Sequence, residues 1–488
     1  MKKLPVQAKL KEIIANIDVS DANYEKASSR YGSLAEYIKN SILADAEPDI
    51  YLQGSFKIGT AIKPLTEDGS YDIDIVCNMT KLSKSTQSQY DLKRKVGAVV
   101  KDYVKSNHMS NLAVESNRCW TLNYVDDDNF HIDILPSVPC YEKEDDFIAI
   151  TDRRNLEYHA ITENWETSNP KRYAEWFKES SNFEAYKLAE ANRIFASVER
   201  VPDYRVKTPL QRIVQILKRH AEIMFENNME YKPSSIIITT LAAMQYREVS
   251  DVSENVFDLM TSVVRNIENG VASREGRPCI YNPVNRDEIL SGKWDDDEDY
   301  YEEFNRWLHQ LKADFNIENL HYSDDIRLSY LERSLFKIKD SEIPQVKMED
   351  ISHHQKLKWP FCEREYPKIV AKYLYRKQGF RYRPIKSGLA VNKNGELKFE
   401  VKAENIKGYE IHWQVTNTGK EAADAKCLRG GFYESTIVEG KRILTERTLY
   451  TGHHYVEAYL IKDGICYGKT IPFEVNIVQG FTSDFIRN

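Results

Sequence analysis

The sequence predicts an α+β chain built from several domains, on three observations. Two strand-like runs, 71–76 and 130–136, carry acids among isoleucines and valines. Between 165 and 340 apolar residues recur mostly with helical period. From 386 to 479 they alternate in twos between glycine turns, the mark of a β-sandwich. At 488 residues the chain exceeds one ordinary core. The expected divisions are 1–165 for N-terminal helices and a mixed core, 166–340 for a helical lobe, 341–385 for a linker and 386–480 for the sandwich.

Composition bounds the setting. Hydrophobic residues make up 41% and charged residues 29%, which suits a water-soluble globular chain. No apolar run approaches a membrane span, so no membrane partner is expected. The start, Met1-Lys2-Lys3-Leu4, lacks the apolar stretch of a secretory signal. Seven scattered cysteines without a C-x-x-C pair fit reduced thiols in a cytoplasm, not a disulfide frame or zinc site. A net charge of −7 argues against nucleic-acid binding by the whole surface, and no nucleic-acid activator is indicated.

Residues 3–45 read as helical, with Leu10, Ile13, Ile14 and Ile17 forming one stripe and Ser33–Ala44 a second amphipathic run. Gln53-Gly54-Ser55 is a turn into a short helical run, where a glycine lets backbone N–H groups approach a phosphate. Asp72 and Asp74, two apart on a strand, share a face, while Ile73, Ile75 and Val76 hold the strand in a core. Such a pair alone also fits the wet face of an edge strand. The turn before it and a third acid, Asp133 in the run 130–136, favour a site. Adjacent carboxylates repel unless a cation joins them, and a divalent metal bound through oxygen is the usual solution. His131 shares the face of Asp133, either supporting the acid or simply packed. Tyr90–Ser106 reads as a helix, Val114–Val125 as a strand and Asp126–Asp128 as a turn.

Thr208 can cap a helix with Pro209 at its first position, and Leu210, Ile213, Val214, Leu217, Ala221, Met224 and Phe225 give it one apolar face. Lys218 flanks that face, where an ordinary snorkelling lysine would also sit. Arg219 points away and is expected to be solvated. Ile236–Met244 reads as a buried helix, and the acidic run 294–299 as a loop before a helix at 300–314. Prolines punctuate 341–385, with one helix expected over Tyr366–Gln378. The alternating runs 397–403, 409–415 and 456–461 predict a sandwich of immunoglobulin-like kind. Gly464 to Thr470 falls one residue short of a P-loop and is set aside.

Taken together, Q-G-S-x-x-x-G-T from Gln53, Y-D-I-D-I-V from Tyr71 and H-I-D-I-L-P from His131 resemble the polymerase-β-type nucleotidyltransferases. Within them they resemble the CD-NTases of anti-phage defence, bacterial relatives of cyclic GMP–AMP synthase. The resemblance covers roughly residues 40 to 340, and it implies a polymerase-β-like core completed by the helical lobe. It implies that Asp72, Asp74 and Asp133 are catalytic and hold two Mg²⁺ ions, or Mn²⁺ in their place, with Asp133 nearest the attacking hydroxyl. Gln53, Gly54 and Ser55 would cradle phosphate oxygens. Lys218 and a serine opening the next helix would grip the triphosphate, and Ser234 and Ser235 are equal candidates for that serine. The implied substrates are NTPs, ATP among them. The implied product is a cyclic di- or trinucleotide that acts on a downstream effector. The C-terminal tail resembles the β-rich sensor domain attached to some of these enzymes. Two rivals remain: a transferase making linear oligonucleotides or modifying an RNA or protein end, and a catalytically silent sensing module. The presence of all three acids counts against the second.

Overall fold

The computed structural model describes residues 14–66, 69–124, 129–143, 146–193, 202–226, 228–249, 256–315, 335, 348, 351–362, 364–375, 382–403, 406, 408–438 and 441–479. The chain divides into two compact units, Met1–Tyr301 and Glu302–Asn488, each taken by itself below.

The first unit opens with α1 (Asp21–Lys39), capped by the Ser20 side chain, then β1 (Pro48–Gln53) and the one-turn helix α2 (Gly54–Lys57). There follow β2 (Tyr71–Met79), α3 (Gln89–Ser106), β3 (Val114–Glu115), β4 (Trp120–Tyr124), β5 (Phe130–Pro139), β6 (Ile148–Ile150) and β7 (Glu166–Ser168). The sheet runs β1-β2-β5-β4-β3, with β6 paired to β5 and β7 to β6. Within it β2 and β5 are parallel neighbours, in register from Tyr71 opposite Phe130 to Asn78 opposite Ser137. Ile73, Ile75, Ile132 and Ile134 are wholly buried on one face, in a core that includes Leu34 and Ile38 of α1 and Leu92, Val96 and Val100 of α3. β-branched side chains suit both the pleat and this half-buried position.

Helices α4 (Pro170–Ser180), α5 (Phe183–Arg193), α6 (Pro209–Met224), α7 (Ser235–Val249) and α8 (Val256–Asn266) come next. The start of α6 follows its sequence: Thr208 and Gln211 form a reciprocal capping box, with Pro209 in the first turn. Two hairpins follow, β8 (Ala272–Arg274) with β9 (Arg277–Cys279) and β10 (Tyr281–Asn282) with β11 (Asn285–Ile289). They interrupt a stretch that is otherwise mostly helical, and Glu275 and Gly276 take positive φ to turn the first of them. Then come α9 (Lys293–Asp296) and the start of α10 (Glu298–Phe315), a helix that belongs to the second unit from Glu302 onward. The acidic run thus forms helix starts, as acids at a positive helix end allow.

The second unit holds two sheets. One joins β12 (Lys368–Leu374), β13 (Arg383–Ile385), β15 (Glu396–Lys402), β18 (Thr436–Val438) and β19 (Lys441–Arg447). The other joins β14 (Ala390–Asn392), β16 (Glu410–Asn417), β17 (Phe432–Glu434), β20 (Gly452–Lys462), β21 (Ile465–Lys469) and β22 (Phe473–Val478), with the short helix α11 (Lys420–Asp424) between β16 and β17. Phe399 and Leu444 of the first sheet share one core with Trp413, Val456 and Val475 of the second. This is the two-sheet sandwich that the alternation predicts. The helix expected over Tyr366–Gln378 is instead strand β12 across Lys368–Leu374, paired to β15 on one side and β13 on the other. The expected strand Val114–Val125 is two strands separated by residues 116–119. The stripe residues Leu10 and Ile13 and the turn Asp126–Asp128 lie outside the described residues.

One helix contact sets how α3 sits against β4. A Cβ on Gly97 would stand 2.2 Å from Trp120 Cζ2, and the Trp120 indole donates to Lys93 O at 2.9 Å. In an open helix Gly→Ala gains about 1 kcal/mol. Here overpacking costs roughly 1–3 kcal/mol and outweighs it. Gly97→Ala is therefore expected to lower the melting temperature measured by circular dichroism, and an unchanged or raised value would mean Trp120 has room to move.

Candidate active site

The parallel register sets Asp74 directly beside Asp133 and Asp72 beside His131. Gln53, the last residue of β1, pairs with Asp74 from the other side. All three acids line one cleft of about 460 Å³, together with Gln53, Gly54, Ser55, Lys218 and Ser235. The structure thus brings together every sequence-predicted site residue except Ser234, which stands just before the helix, does not line the cleft, and accepts from Ile238 N–H through its carbonyl. Of the two serines, the cleft takes Ser235, the first residue of α7.

Gly54 is required twice over. Its φ is +63°, and a Cβ there would meet Asp74 Oδ2 at 2.1 Å. Any side chain at this position would displace the carboxylate.

The three acids differ in setting. Asp72 stands at the open mouth, its side chain 72% exposed and 3.5 Å from His131 Nδ1. Ser70 Oγ also contacts that nitrogen at 3.2 Å, so the His131 ring lies beside Asp72, whereas the sequence sets it on the face of Asp133. Asp133 is steadied by Thr121 Oγ1, which donates to its Oδ1 from β4. Asp74 lies deepest. Burial, and then the charges of Asp133 and Asp72, push its carboxyl up to about 7, against a smaller opposing pull from Lys218. Among the described residues no three His, Cys, Asp or Glu side chains close into a metal cage by themselves. An open set of like charges fits a cation that completes its shell with phosphate oxygens. Asp72, Asp74 and Asp133 are the residues that could hold it.

Lys218 is buried, with Nζ donating to Thr60 O (3.1 Å) and Thr60 Oγ1 (3.2 Å). Burial, aided by nearby Lys232, lowers its pKa to about 8, while Asp74 and Glu222 act the other way. An ammonium has three N–H groups, so one remains for the cleft. Arg219, expected to be solvated, is instead buried: its guanidinium donates to Lys63 O and meets Glu222 at 3.3 Å. Sequence reasoning missed Arg118, Tyr173, Asn282 and Glu288, which also line the cleft. Arg118 comes from the turn between β3 and β4, Tyr173 from α4, and Asn282 and Glu288 from one hairpin, and none of these carries a motif. Lys232, which acts electrostatically on Asp72 and Lys218, was visible only as a neighbour of the serines.

The raised carboxyl makes a stability test. Between the ordinary value of 3.8 and about 7 the native protein holds a proton on Asp74 that the unfolded chain releases. Metal-free stability therefore falls as pH rises through that window and levels above it. Asp74→Asn lacks the penalty. In EDTA, its melting temperature should match wild type near pH 3 and exceed it by a few degrees at pH 8. A difference that does not change with pH would remove the like-charge account.

A family model described as "Second Messenger Oligonucleotide or Dinucleotide Synthetase domain" matches residues 4–181. Another, "Adenylyl/Guanylyl and SMODS C-terminal sensor domain", matches 349–478. The c-di-GMP synthase of Roseivirga ehrenbergii is 30% identical over 311 residues, 63% of this chain and 78% of that protein. The cyclic GMP-AMP synthase of Escherichia albertii is 23% identical over 464 residues, 93% of this chain and 90% of that one. In fold, the CD-NTase CdnG of Bradyrhizobium diazoefficiens, solved with GTP, aligns at a TM-score of 0.52 and 20% identity over 68% of this chain and 95% of its own. No described helix is long and apolar enough to cross a membrane. This chain belongs to the second-messenger oligonucleotide or dinucleotide synthetases, the CD-NTase family of nucleotidyltransferases.

Proposed function

We propose that the chain is a Mg²⁺-dependent synthase that joins NTPs into a cyclic oligonucleotide, a second messenger acting on a downstream effector in cytoplasmic anti-phage signalling. The observation that carries this is the register neighbour pair Asp74 and Asp133, with Asp72, opening onto the same cleft as Lys218. The relatives named as cyclic dinucleotide synthases support the class of product. Asp72, Asp74 and Asp133 would hold the two Mg²⁺ ions, which would supply positive charge to offset the negative charge of the reacting phosphate.

The chain's own residues do the rest. Thr121 occupies Asp133 Oδ1, which leaves Oδ2 to accept the proton of an attacking ribose hydroxyl. Lys218, Ser55 and Ser235 line the cleft, and on this reading the remaining N–H of the lysine and the two hydroxyls hold the triphosphate oxygens. Gly54 lets phosphate come close to the backbone beside Asp74. The C-terminal unit we read as an immunoglobulin-like sandwich serving as the sensor, on the support of its two facing sheets and its family description.

Purified protein given labelled NTPs and Mg²⁺ should form a phosphatase-resistant product. Only phosphatase-sensitive products would point to linear synthesis instead. Asp72→Asn and Asp74→Asn should each abolish the product while the circular dichroism spectrum stays native. A charge-assisted contact to phosphate contributes roughly 1.5–3 kcal/mol. Lys218→Ala should therefore raise the apparent KM for NTP by about one to two decades, and unchanged kinetics would leave Lys218 with a purely structural role at Thr60.

A further inference from the structure

The cleft holds a fourth carboxylate that the phosphate chemistry does not use. Glu288, on β11, lines it together with Asn282 of β10. The charges acting on Glu288 are those of Arg118 and Glu166, whereas those acting on Asp74 are Asp133, Asp72 and Lys218. Glu288 thus belongs to a different electrostatic neighbourhood from the three acids. A carboxylate here would repel a triphosphate, so it must face another part of the substrate.

Its orientation is fixed by two neutral partners, Asn282 and Asn285. Asn282 is buried, and its Oδ1 accepts from Val284 N–H at 3.0 Å. That contact obliges the Asn282 Nδ2 to be the group facing Glu288, and it donates to Oε2 at 2.8 Å. Asn285 bonds the same carboxylate, so two of its four acceptor sites are spent and two stay available to the cleft. Burial raises the carboxyl pKa, so a ligand offering two donors would relieve the cost of its charge.

Base edges differ in what they offer such a group. Guanine presents two adjacent donors, N1–H and the N2 amine. Adenine and cytosine place an amine beside an acceptor ring nitrogen, which a carboxylate repels. Uracil has one N–H between two carbonyls. Only guanine can bind a carboxylate through two parallel hydrogen bonds.

We infer that Glu288, positioned by Asn282, reads a guanine base in this cleft by accepting from N1–H and the N2 amine. This rests on the proposed NTP chemistry and names its substrate as a guanine nucleotide.

The test is equilibrium binding of GTP, ITP and ATP to the full chain with Mg²⁺, for wild type and Glu288→Gln. ITP keeps N1–H and lacks the N2 amine. Wild type should bind GTP about ten- to a hundredfold more tightly than ATP, with ITP between them. In Glu288→Gln the GTP-to-ITP ratio should collapse toward one, with circular dichroism confirming the fold. If the variant does not fold, the wild-type ranking decides. Equal binding of GTP and ITP by wild type, a preference for ATP, or an unchanged ratio in a folded variant overturns the guanine assignment and leaves the synthase reading standing. Wild type that binds no NTP overturns both.

Discussion

The site depends on how one irregular segment is held. Residues 58–63 follow α2 and, apart from a single bridge at Ile62, belong to no strand or helix. Their carbonyls would be costly to bury without partners. Helix α6 supplies those partners from a polar stripe. Gln211 donates to Ile58 O (2.9 Å), Gln215 to Ala61 O (2.8 Å), Lys218 to Thr60 O (3.1 Å) and Arg219 to Lys63 O. Positions 211, 215, 218 and 219 lie on one side of a helix of 3.6 residues per turn. The stripe ties the Gly54 turn, which belongs to the sheet, to Lys218, which belongs to the helices. Each bond is worth about 1 kcal/mol net, but losing one leaves a buried carbonyl unpaired.

That arrangement explains why a charged lysine lies inside the protein. Lys218 does structural work at Thr60 and is thereby aimed, with one donor free, at the carboxylates. Asp74 and Lys218 are each pushed toward neutrality by burial, yet each favours the charged form of the other. The resting site therefore holds acids short of positive charge beside a lysine short of negative charge. A metal triphosphate brings both signs at once. Preorganised groups of this kind lose little on reorganising when substrate arrives.

The sequence made the acids legible because strand spacing two apart is a strong local signal, and Gly54-Ser55 supplied a turn before it. The parallel pairing that sets Asp133 beside Asp74 could not be read, since register between distant strands leaves no local mark. Arg219 was misjudged because apolar periodicity alone defined the buried face of α6. A helix serving loop carbonyls buries polar residues as well. Strand β12 was taken for a helix because period is ambiguous in a run as short as Lys368–Leu374, where pairing on both sides decides the outcome. Glu288 and Arg118 gave no signal because each reaches the cleft through tertiary placement, Glu288 on a short strand and Arg118 in the turn between two strands.

A sheet can host so unfavourable a charge cluster because its other face is so well packed. Ile73, Ile75, Ile132 and Ile134 are fully buried between the same carboxylate positions, so strands β2 and β5 are fixed by the core whatever the acids do. Each buried isoleucine contributes roughly 1.5–3 kcal/mol relative to exposure. Four of them exceed the destabilisation that one raised carboxylate imposes. The alternation that makes the acids adjacent is the same alternation that seats the isoleucines. A one-residue slip would turn the acids into the core, which burial forbids. The core thus specifies the spacing of the site, and the charges are held where they repel until a cation joins them.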